Sequence, residues 1–206
     1  VDDNTLVTEE PKKIVKCPAD TILISAGKFV RGTASSDPMR DFNDQPLKRV
    51  YVSKYCIDKY EYPNKLGIKP KTNINFPMAQ KLCKIQGRRL CTELEWERAC
   101  KGPMERRYPT GNKIKSKSCN FYNEQNNSNK ISSSGSYSNC ISGFGIVDMS
   151  GNAAEWTSSS WSSELLQMKI IKGGSFNHDI SSVRCSSRLN NDHKVQSDDI
   201  GFRCCM

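Results

Sequence analysis

The segment from Asp148 to Trp156 contains the residue types with which a protein could bind a hard cation. Asp148 and Glu155 would supply carboxylate oxygens. The backbone carbonyls of Gly151 and Ala153 could turn toward the same point, because glycine permits a tight turn. Taken alone, so short an acidic segment favours a solvated turn over a calcium site, and both interpretations stay open at this point.

Ten cysteines in 206 residues are a second possible source of chemistry. Apart from the adjacent Cys204 and Cys205 they are scattered singly, with no Cys-x-x-Cys pair. Only two histidines accompany them, which argues against a zinc site. A disulfide framework is the favoured interpretation, and it predicts an extracytoplasmic location in the periplasm, at the cell surface or in the secreted fraction. The cysteine count does not determine the pairing.

A polar stretch over residues 177–198 could form a binding face. It is dense in Asn, His, Asp and Ser, and two aromatic residues lie close to it in the sequence. The expected ligand-binding residues are Trp161, Phe176, Asn177, His178, Asp179, Asn190, Asn191 and His193. The alternative is an ordinary polar surface loop, and the residues themselves leave the two interpretations evenly balanced.

The net charge is +9, from 31 basic and 22 acidic residues. The basic residues are spread along the chain and are not interleaved with aromatic residues, so nucleic acid is not an expected partner. A solvated basic surface, or attraction to anionic glycans or membranes, is the simpler expectation. No run of 18 apolar residues exists, so no membrane span is predicted. We expect a monomer.

The elements that must position these residues can be predicted from local patterns. Residues 1–16 are expected to form a tail or linker, and residues 17–206 a single domain. One helix should begin near Pro77 and stop at Gly87, and a second should open with a Thr92–Glu95 capping box and end at Gly102. The predicted strands are 21–24, 28–30, 49–57, 169–172, 182–185 and 201–204.

Several short motifs occur in an order that resembles one family. They include Gly151-Asn152, Glu155-Trp156, Gly173-Gly174-Ser175 and Gly201-Phe202-Arg203. From about residue 17 to residue 205 the chain is similar to the formylglycine-generating enzymes, or sulfatase-modifying factors. The resemblance implies their variant of the C-type lectin fold. That fold is α+β and disulfide-rich, with two helices, short antiparallel strands and little regular secondary structure.

The resemblance also implies particular bonds and ligands. The structural disulfides of the family fall on Cys83–Cys204 and Cys100–Cys185. The pairs Cys17–Cys56, Cys91–Cys205 and Cys119–Cys140 are predicted only from the even count and plausible proximity. A calcium site of the family falls on Asp148, Gly151, Ala153 and Glu155, so with the resemblance added we favour a structural calcium ion there.

The oxidase activity of this family needs two further cysteines between the Gly-Gly-Ser turn and the following Arg-Cys pair, where they serve copper-assisted oxygen chemistry. Here that interval, residues 176–183, contains no cysteine. The sequence therefore predicts no catalytic residues, no copper and a pseudoenzyme. The expected function is a binding module for a protein or glycan ligand at the cell surface. The alternative is an enzyme that oxidises a protein cysteine to formylglycine with an altered active site.

Two further expectations follow from the resemblance. In the diversity-generating variable proteins that share this lectin-like fold, the stretch corresponding to residues 177–198 is a variable ligand-binding face. With this resemblance included, a binding face and an ordinary polar loop stay about equally favoured here. The sulfoxide synthases of the family bind iron through a histidine triad, which a chain with two histidines lacks. We also expect Trp96 and Trp156 in the core, and Arg188 and Arg203 as partners of buried carboxylates such as Glu95 or Glu97.

Overall fold

The computed structural model describes residues 16–123 and 130–206. The predicted tail, residues 1–16, lies outside the described residues except for Lys16. The elements in chain order are β1 (Thr21–Ile24), β2 (Gly27–Arg31), β3 (Lys48–Val52), β4 (Tyr55–Asp58), α1 (Phe76–Ile85), β5 (Arg89–Leu90), α2 (Glu93–Lys101), β6 (Ala154–Ser160), β7 (Met168–Lys172), β8 (Leu189–Asp192), β9 (Ile200–Phe202) and β10 (Cys204–Cys205). No described helix is both long and apolar enough to cross a membrane.

The described strands form three small sheets, with the orders β1-β4-β10-β5, β2-β3 and β8-β7-β6-β9. All pairings are antiparallel except β6 with β9, where Glu155 lies opposite Gly201. β9 and β10 are close together in the chain but belong to different sheets. Residues 200–205 therefore join the two four-stranded sheets.

Both predicted helices form, and local capping explains where they begin. Asn75 caps α1 by accepting a hydrogen bond from the amide of Met78, and Pro77 occupies the first turn, where its missing N–H costs nothing. Thr92 and Glu95 form the predicted capping box of α2, and Gly102 ends that helix with a positive φ of 67°. The capping residues thus confirm the predicted helix boundaries to within about one or two residues.

The core consists of two main apolar clusters, each centred on a tryptophan. Trp96 of α2 and Trp156 of β6 are both almost fully buried, as expected. Each indole N–H also has a partner: Trp96 donates to Glu155 and Trp156 donates to the carbonyl of Ile74. Buried tryptophans are stable in such positions because their N–H is satisfied.

Five disulfides join distant parts of the chain, and their pairing is the one predicted. Cys83 of α1 and Cys91 after β5 bond to the adjacent Cys204 and Cys205, across sequence separations of 121 and 114 residues. Cys100 of α2 bonds to Cys185. The remaining pairs are Cys17–Cys56 and Cys119–Cys140.

The structure corrects several strand predictions. Residues 182–185 form turns and not a strand, and residues 49–57 divide into β3 and β4. The strands β6 and β8 were not predicted, because their sequences, AEWTSSS and LNND, are rich in residues with low strand propensity. These strands are stabilised by their pairing with the apolar β7, which a local pattern cannot reveal.

Candidate functional site

All ten cysteines of the chain are in disulfides, so no thiol is free. The turn that follows Ser175 is where the resemblance would place thiols for oxygen chemistry. In this chain that turn presents Asn177, His178 and Asp179. Copper(I) prefers soft thiolate ligands, and disulfide sulfur does not supply them. The arrangement does not provide the groups required for thiol-dependent oxidation.

The segment around Asp148 is a buried, tightly turned loop. Asp148 and Asn152 adopt left-handed backbone conformations, both with φ of 58°, and Gly151 lies between them with φ of 77°. A Cβ atom at Gly151 would lie 2.0 Å from the carbonyl oxygen of Asn120, so only glycine fits this position. The Asn152 side chain donates to both carboxylate oxygens of Glu61, over 2.9 and 3.0 Å. The loop is thereby attached to the segment that follows β4.

Glu155 makes a buried ion pair with Arg203. The Arg203 guanidinium donates two hydrogen bonds of 2.7 Å, one to each carboxylate oxygen, and the Trp96 indole donates a third of 2.7 Å. The same guanidinium also donates to the carbonyl of Val147 over 3.0 Å. Both residues are essentially inaccessible to solvent, so this pair has excellent geometry and little screening.

This geometry bears directly on the predicted calcium ligands. Both oxygens of Glu155 are engaged by N–H donors, and Asp148 accepts from the Gly135 amide over 2.7 Å. In the described part of the chain no group of three or more His, Cys, Asp or Glu residues could hold a metal ion. As arranged, the Glu155 carboxylate is therefore not free to bind a calcium ion. Binding of a structural calcium ion stays a prediction. If calcium is bound, removing it with EGTA should lower the Tm.

Three buried carboxylates surround this single arginine. Burial raises the pKa of Asp148 to about 6. Burial also raises the pKa of Glu61 well above its usual range, and the charges of Asp148 and Glu155 raise it further. Arg203 opposes both shifts, because its positive charge favours the ionised carboxylates. The charge balance of this centre therefore depends on Arg203.

The predicted carboxylate partners of the two arginines were wrong. Arg203 pairs with Glu155, and Arg188 pairs with Glu93 over 2.8 Å. Glu95 accepts instead from Arg89 of β5. Glu97 pairs with Lys101, one helical turn further along α2, and with Lys172 of β7. The residue types were expected correctly, but helix rotation and sheet register decide which carboxylate faces which cation.

A cavity of about 430 Å³ lies at the C-terminal polar stretch. Its apolar side is formed by residues of β6, β7, β8 and β9, namely Ala154, Ile171, Leu189 and Ile200. Its polar side is formed by Asn43, His178, Asn190, Asn191, Ser197 and Asp199. An apolar surface with a few convergent polar groups is typical of a small-molecule or side-chain binding site. We call this space the C-terminal cavity.

A chain of hydrogen bonds fixes the polar side of the C-terminal cavity. The hydroxyl of the buried Ser175 lies 2.7 Å from His178 Nδ1 and donates to Asp199 over 2.8 Å. The Ser175 amide donates to the same imidazole nitrogen over 3.1 Å. Ser197 donates to the other oxygen of Asp199. The imidazole and the carboxylate are therefore held in place before any ligand arrives, which lowers the entropic cost of binding.

The structure brings three of the eight predicted ligand-binding residues to this cavity: His178, Asn190 and Asn191. Phe176 is only 5% exposed and does not line the cavity, so it offers little surface to a ligand. Trp161 stacks on the guanidinium of Arg188 at 4.5 Å, outside the cavity lining.

The remaining predicted residues lie on other surfaces. Asp179 lines a different cavity, whereas Asn177 and His193 line neither of the two. Three polar residues of the C-terminal cavity were not predicted: Asn43, Ser197 and Asp199. Asn43 belongs to a long polar loop far away in the sequence, and no local signal indicates its position. Asp199 could have been found, because it directly precedes the Ile200-Gly201-Phe202 strand.

The sequence is similar to those of proteins in one known family. A family model described as a sulfatase-modifying factor enzyme 1-like domain matches residues 63–206. The chain is 29% identical over 151 residues to the Bos taurus protein named inactive C-alpha-formylglycine-generating enzyme 2, covering 66% of the chain and 49% of that protein. It is 29% identical over 161 residues to the Bos taurus formylglycine-generating enzyme, covering 66% and 43%. The chain thus spans about half the length of these relatives.

Solved structures agree with this similarity. PvdO from Pseudomonas aeruginosa matches with a TM-score of 0.77 at 21% identity, covering 96% of this chain and 99% of that one. Treponema denticola variable protein 1 matches with a TM-score of 0.73 at 16% identity, covering 90% and 94%. At these identities the likeness concerns the fold alone, and it confirms the expected disulfide-rich α+β fold.

Proposed function

The chain belongs to the sulfatase-modifying factor enzyme 1-like family, and from this premise we propose that it is a non-catalytic, extracytoplasmic binding module. The observation that carries the proposal is the state of the cysteines. All ten are in disulfides, and the turn after Ser175 offers amide, imidazole and carboxylate groups where thiols would be needed. The names of two mammalian relatives, which describe them as inactive, are compatible with a scaffold that has lost its chemistry.

A direct assay tests the non-catalytic part of this proposal. We expect no aldehyde when the protein is incubated with a cysteine-containing sulfatase peptide, copper and oxygen, because no thiolate is available to hold the metal or the substrate. The readout is the mass of the peptide. A matched peptide with serine in place of cysteine is the substrate control, and a reaction without protein measures background oxidation. Aldehyde above that background would contradict the proposal and favour an altered enzyme.

The C-terminal cavity supports the binding role. It combines an apolar side with fixed amide, imidazole and carboxylate groups, and β8, which forms part of it, is an edge strand of its sheet. Five disulfides support an extracytoplasmic location, since such bonds persist in oxidising compartments. We propose a protein or glycan at the cell surface as the ligand, bound by a monomer. We further propose that variation among related chains within residues 168–205 is confined to the Asn, His, Asp and Ser positions.

Binding can be tested with variants of the cavity. We expect a panel of glycans and peptides to contain at least one ligand of the wild-type protein. The Kd for that ligand should rise about fivefold to tenfold in Asn190→Ala and in Asn191→Ala, because each substitution removes hydrogen-bonding groups from the cavity. Gln80→Ala is the matched control, since Gln80 lies on α1 and does not line this cavity. A ligand whose Kd changes equally in all three variants would place the binding site elsewhere.

A further inference from the structure

A cavity of about 410 Å³, which we call the second cavity, lies in the irregular region between α2 and β6. It differs from the cavity that Asp179 lines. Among its lining residues are Arg106, Thr110, Lys113, Lys115, Ser118 and Asn139. None of these residues lines the C-terminal cavity. Three of the six are cations, and the other three carry neutral hydrogen-bonding groups. The lining therefore presents positive charge together with hydrogen-bond donors.

The positive charge of this second cavity is not balanced by nearby carboxylates. The neighbours of Arg106 in the sequence are paired elsewhere: Glu105 lies 3.9 Å from Arg49, and Arg107 lies 2.6 Å from Asp37. Within residues 16–123 and 130–206, Arg106, Lys113 and Lys115 have no carboxylate within ion-pair distance. The chain as a whole carries a charge of +9, so its field also attracts anions toward this surface.

The backbone around the second cavity is held in place on two sides. Tyr108 and Gly111 exchange backbone hydrogen bonds of 2.9 and 3.1 Å, which closes the turn that carries Thr110. The Cys119–Cys140 disulfide directly follows Ser118 and Asn139 in the two segments that it joins. These two segments therefore stay together without a ligand, and less conformational entropy is lost when one binds.

Thr110 provides an independent observation at the same place. Its hydroxyl oxygen is buried and has no hydrogen-bond partner among the described residues. A buried hydroxyl without a partner costs free energy, so such a group indicates an acceptor that the polypeptide does not supply. Because Thr110 lines the second cavity, an acceptor bound there becomes that partner once the side chain turns its hydroxyl toward the cavity.

We propose that the second cavity binds a tetrahedral oxyanion, either phosphate or sulfate. Arg106, Lys113 and Lys115 would neutralise its charge, and Thr110 and Ser118 would donate hydrogen bonds to its oxygens. This combination of cations and hydroxyl donors complements the several acceptor oxygens of such an ion. The site is separate from the C-terminal cavity and does not depend on the binding role proposed above.

Anion titrations of the whole chain test the proposal. Sodium phosphate and sodium sulfate are titrated separately at constant ionic strength, with chloride as the balancing anion, and binding is followed by NMR chemical shifts. We expect saturable shifts in residues 106–118 with at least one of the two anions. Lys113→Gln and Lys115→Gln should each raise the Kd about fivefold. Lys117→Gln is the matched control, because it makes the same charge change on a neighbouring lysine that does not line the cavity.

Each outcome of these titrations has a definite meaning. A stronger effect of Lys113→Gln and Lys115→Gln than of Lys117→Gln supports the site, and the anion with the lower Kd identifies which oxyanion it prefers. Equal effects of all three variants, or shifts that chloride reproduces, would overturn it. Thr110→Val removes only the hydroxyl and should weaken anion binding without lowering the Tm in chloride buffer. An unchanged Kd in Thr110→Val would overturn the assignment of Thr110 as a donor.

Discussion

Replacement of Arg203 by methionine is expected to lower the free energy of unfolding by about 3–5 kcal/mol or more at pH 7. The reason is that Arg203 is the only cation in direct contact with Glu155 among the described residues. Without it, Glu155 keeps only its bond from Trp96, and the carbonyl of Val147 loses a donor. Urea unfolding measures the change. Arg49→Met is the control: Arg49 is largely exposed and 3.9 Å from its partner, so we expect a change below about 0.5 kcal/mol.

The cost of removing Arg203 should depend on pH in a defined direction. An acid whose pKa rises from 3.8 to about 6 on folding, such as Asp148, binds more protons in the folded than in the unfolded state between those values. Its contribution to stability is therefore present below about pH 4 and is lost as the pH rises toward 6. Without Arg203 the pKa values of Asp148 and Glu61 should rise further. The stability difference between wild type and Arg203→Met should thus be smaller at pH 4 than at pH 7.

Two further variants keep this prediction testable if Arg203→Met fails to fold. Arg203→Lys retains the charge but not the paired hydrogen bonds, so we expect an intermediate loss of stability. In Arg203→Met with Glu155→Gln the unpaired charge is absent, so the double variant should recover part of the loss. If Arg203→Met were as stable as wild type at pH 7, the ion pair would not be what stabilises this centre.

The second large effect concerns the adjacent cysteines Cys204 and Cys205. In the chain-entropy picture, a disulfide stabilises by restricting the unfolded chain. While Cys91–Cys205 is intact, Cys83–Cys204 closes only a small additional loop, because Cys83 and Cys91 are close in sequence. We therefore expect replacement of either pair by alanines to cost about 2–3 kcal/mol, and replacement of both pairs to cost about 6–7 kcal/mol. The cost of losing both should exceed the sum of the single costs.

The Cys119–Cys140 pair provides the control for this cycle. It closes a separate loop of 21 residues that contains no other cysteine. Its removal should cost about 3 kcal/mol and should add to the cost of removing either of the other pairs. Urea unfolding of the alanine variants gives the free energies. If the cost of removing both adjacent pairs equalled the sum of the two single costs, the two bonds would not close one shared loop.

The sequence predicted those features that have a local or family-wide signal. The capping box at Thr92 and the proline at the start of α1 are local signals, and the helices begin where these residues indicate. The two pairings Cys83–Cys204 and Cys100–Cys185 came from the resemblance, and the structure contains them. Such features do not depend on how distant segments are rotated relative to one another.

Other parts of the site depend on tertiary contacts that no local pattern contains. The β8 strand carries Asn190 and Asn191 but has a loop-like composition, and it becomes a strand through pairing with β7. Asn43 reaches the C-terminal cavity from a segment more than a hundred residues away in the chain. The partner of Arg203 was mistaken because sequence can indicate that a buried cation needs a carboxylate, but not which carboxylate the packing brings to it.

The position of residues 200–205 has a consequence for biosynthesis. β9 and β10 belong to two different sheets, and β10 contributes Cys204 and Cys205 to two long-range disulfides. Neither of these sheets is complete until residues 200–205 have left the ribosome. Most of the domain must therefore wait in an unfinished state during translation, with thiols and apolar edges available for wrong pairings. We therefore expect the refolding yield of the reduced chain to depend on a thiol oxidant and to rise when a disulfide isomerase is added.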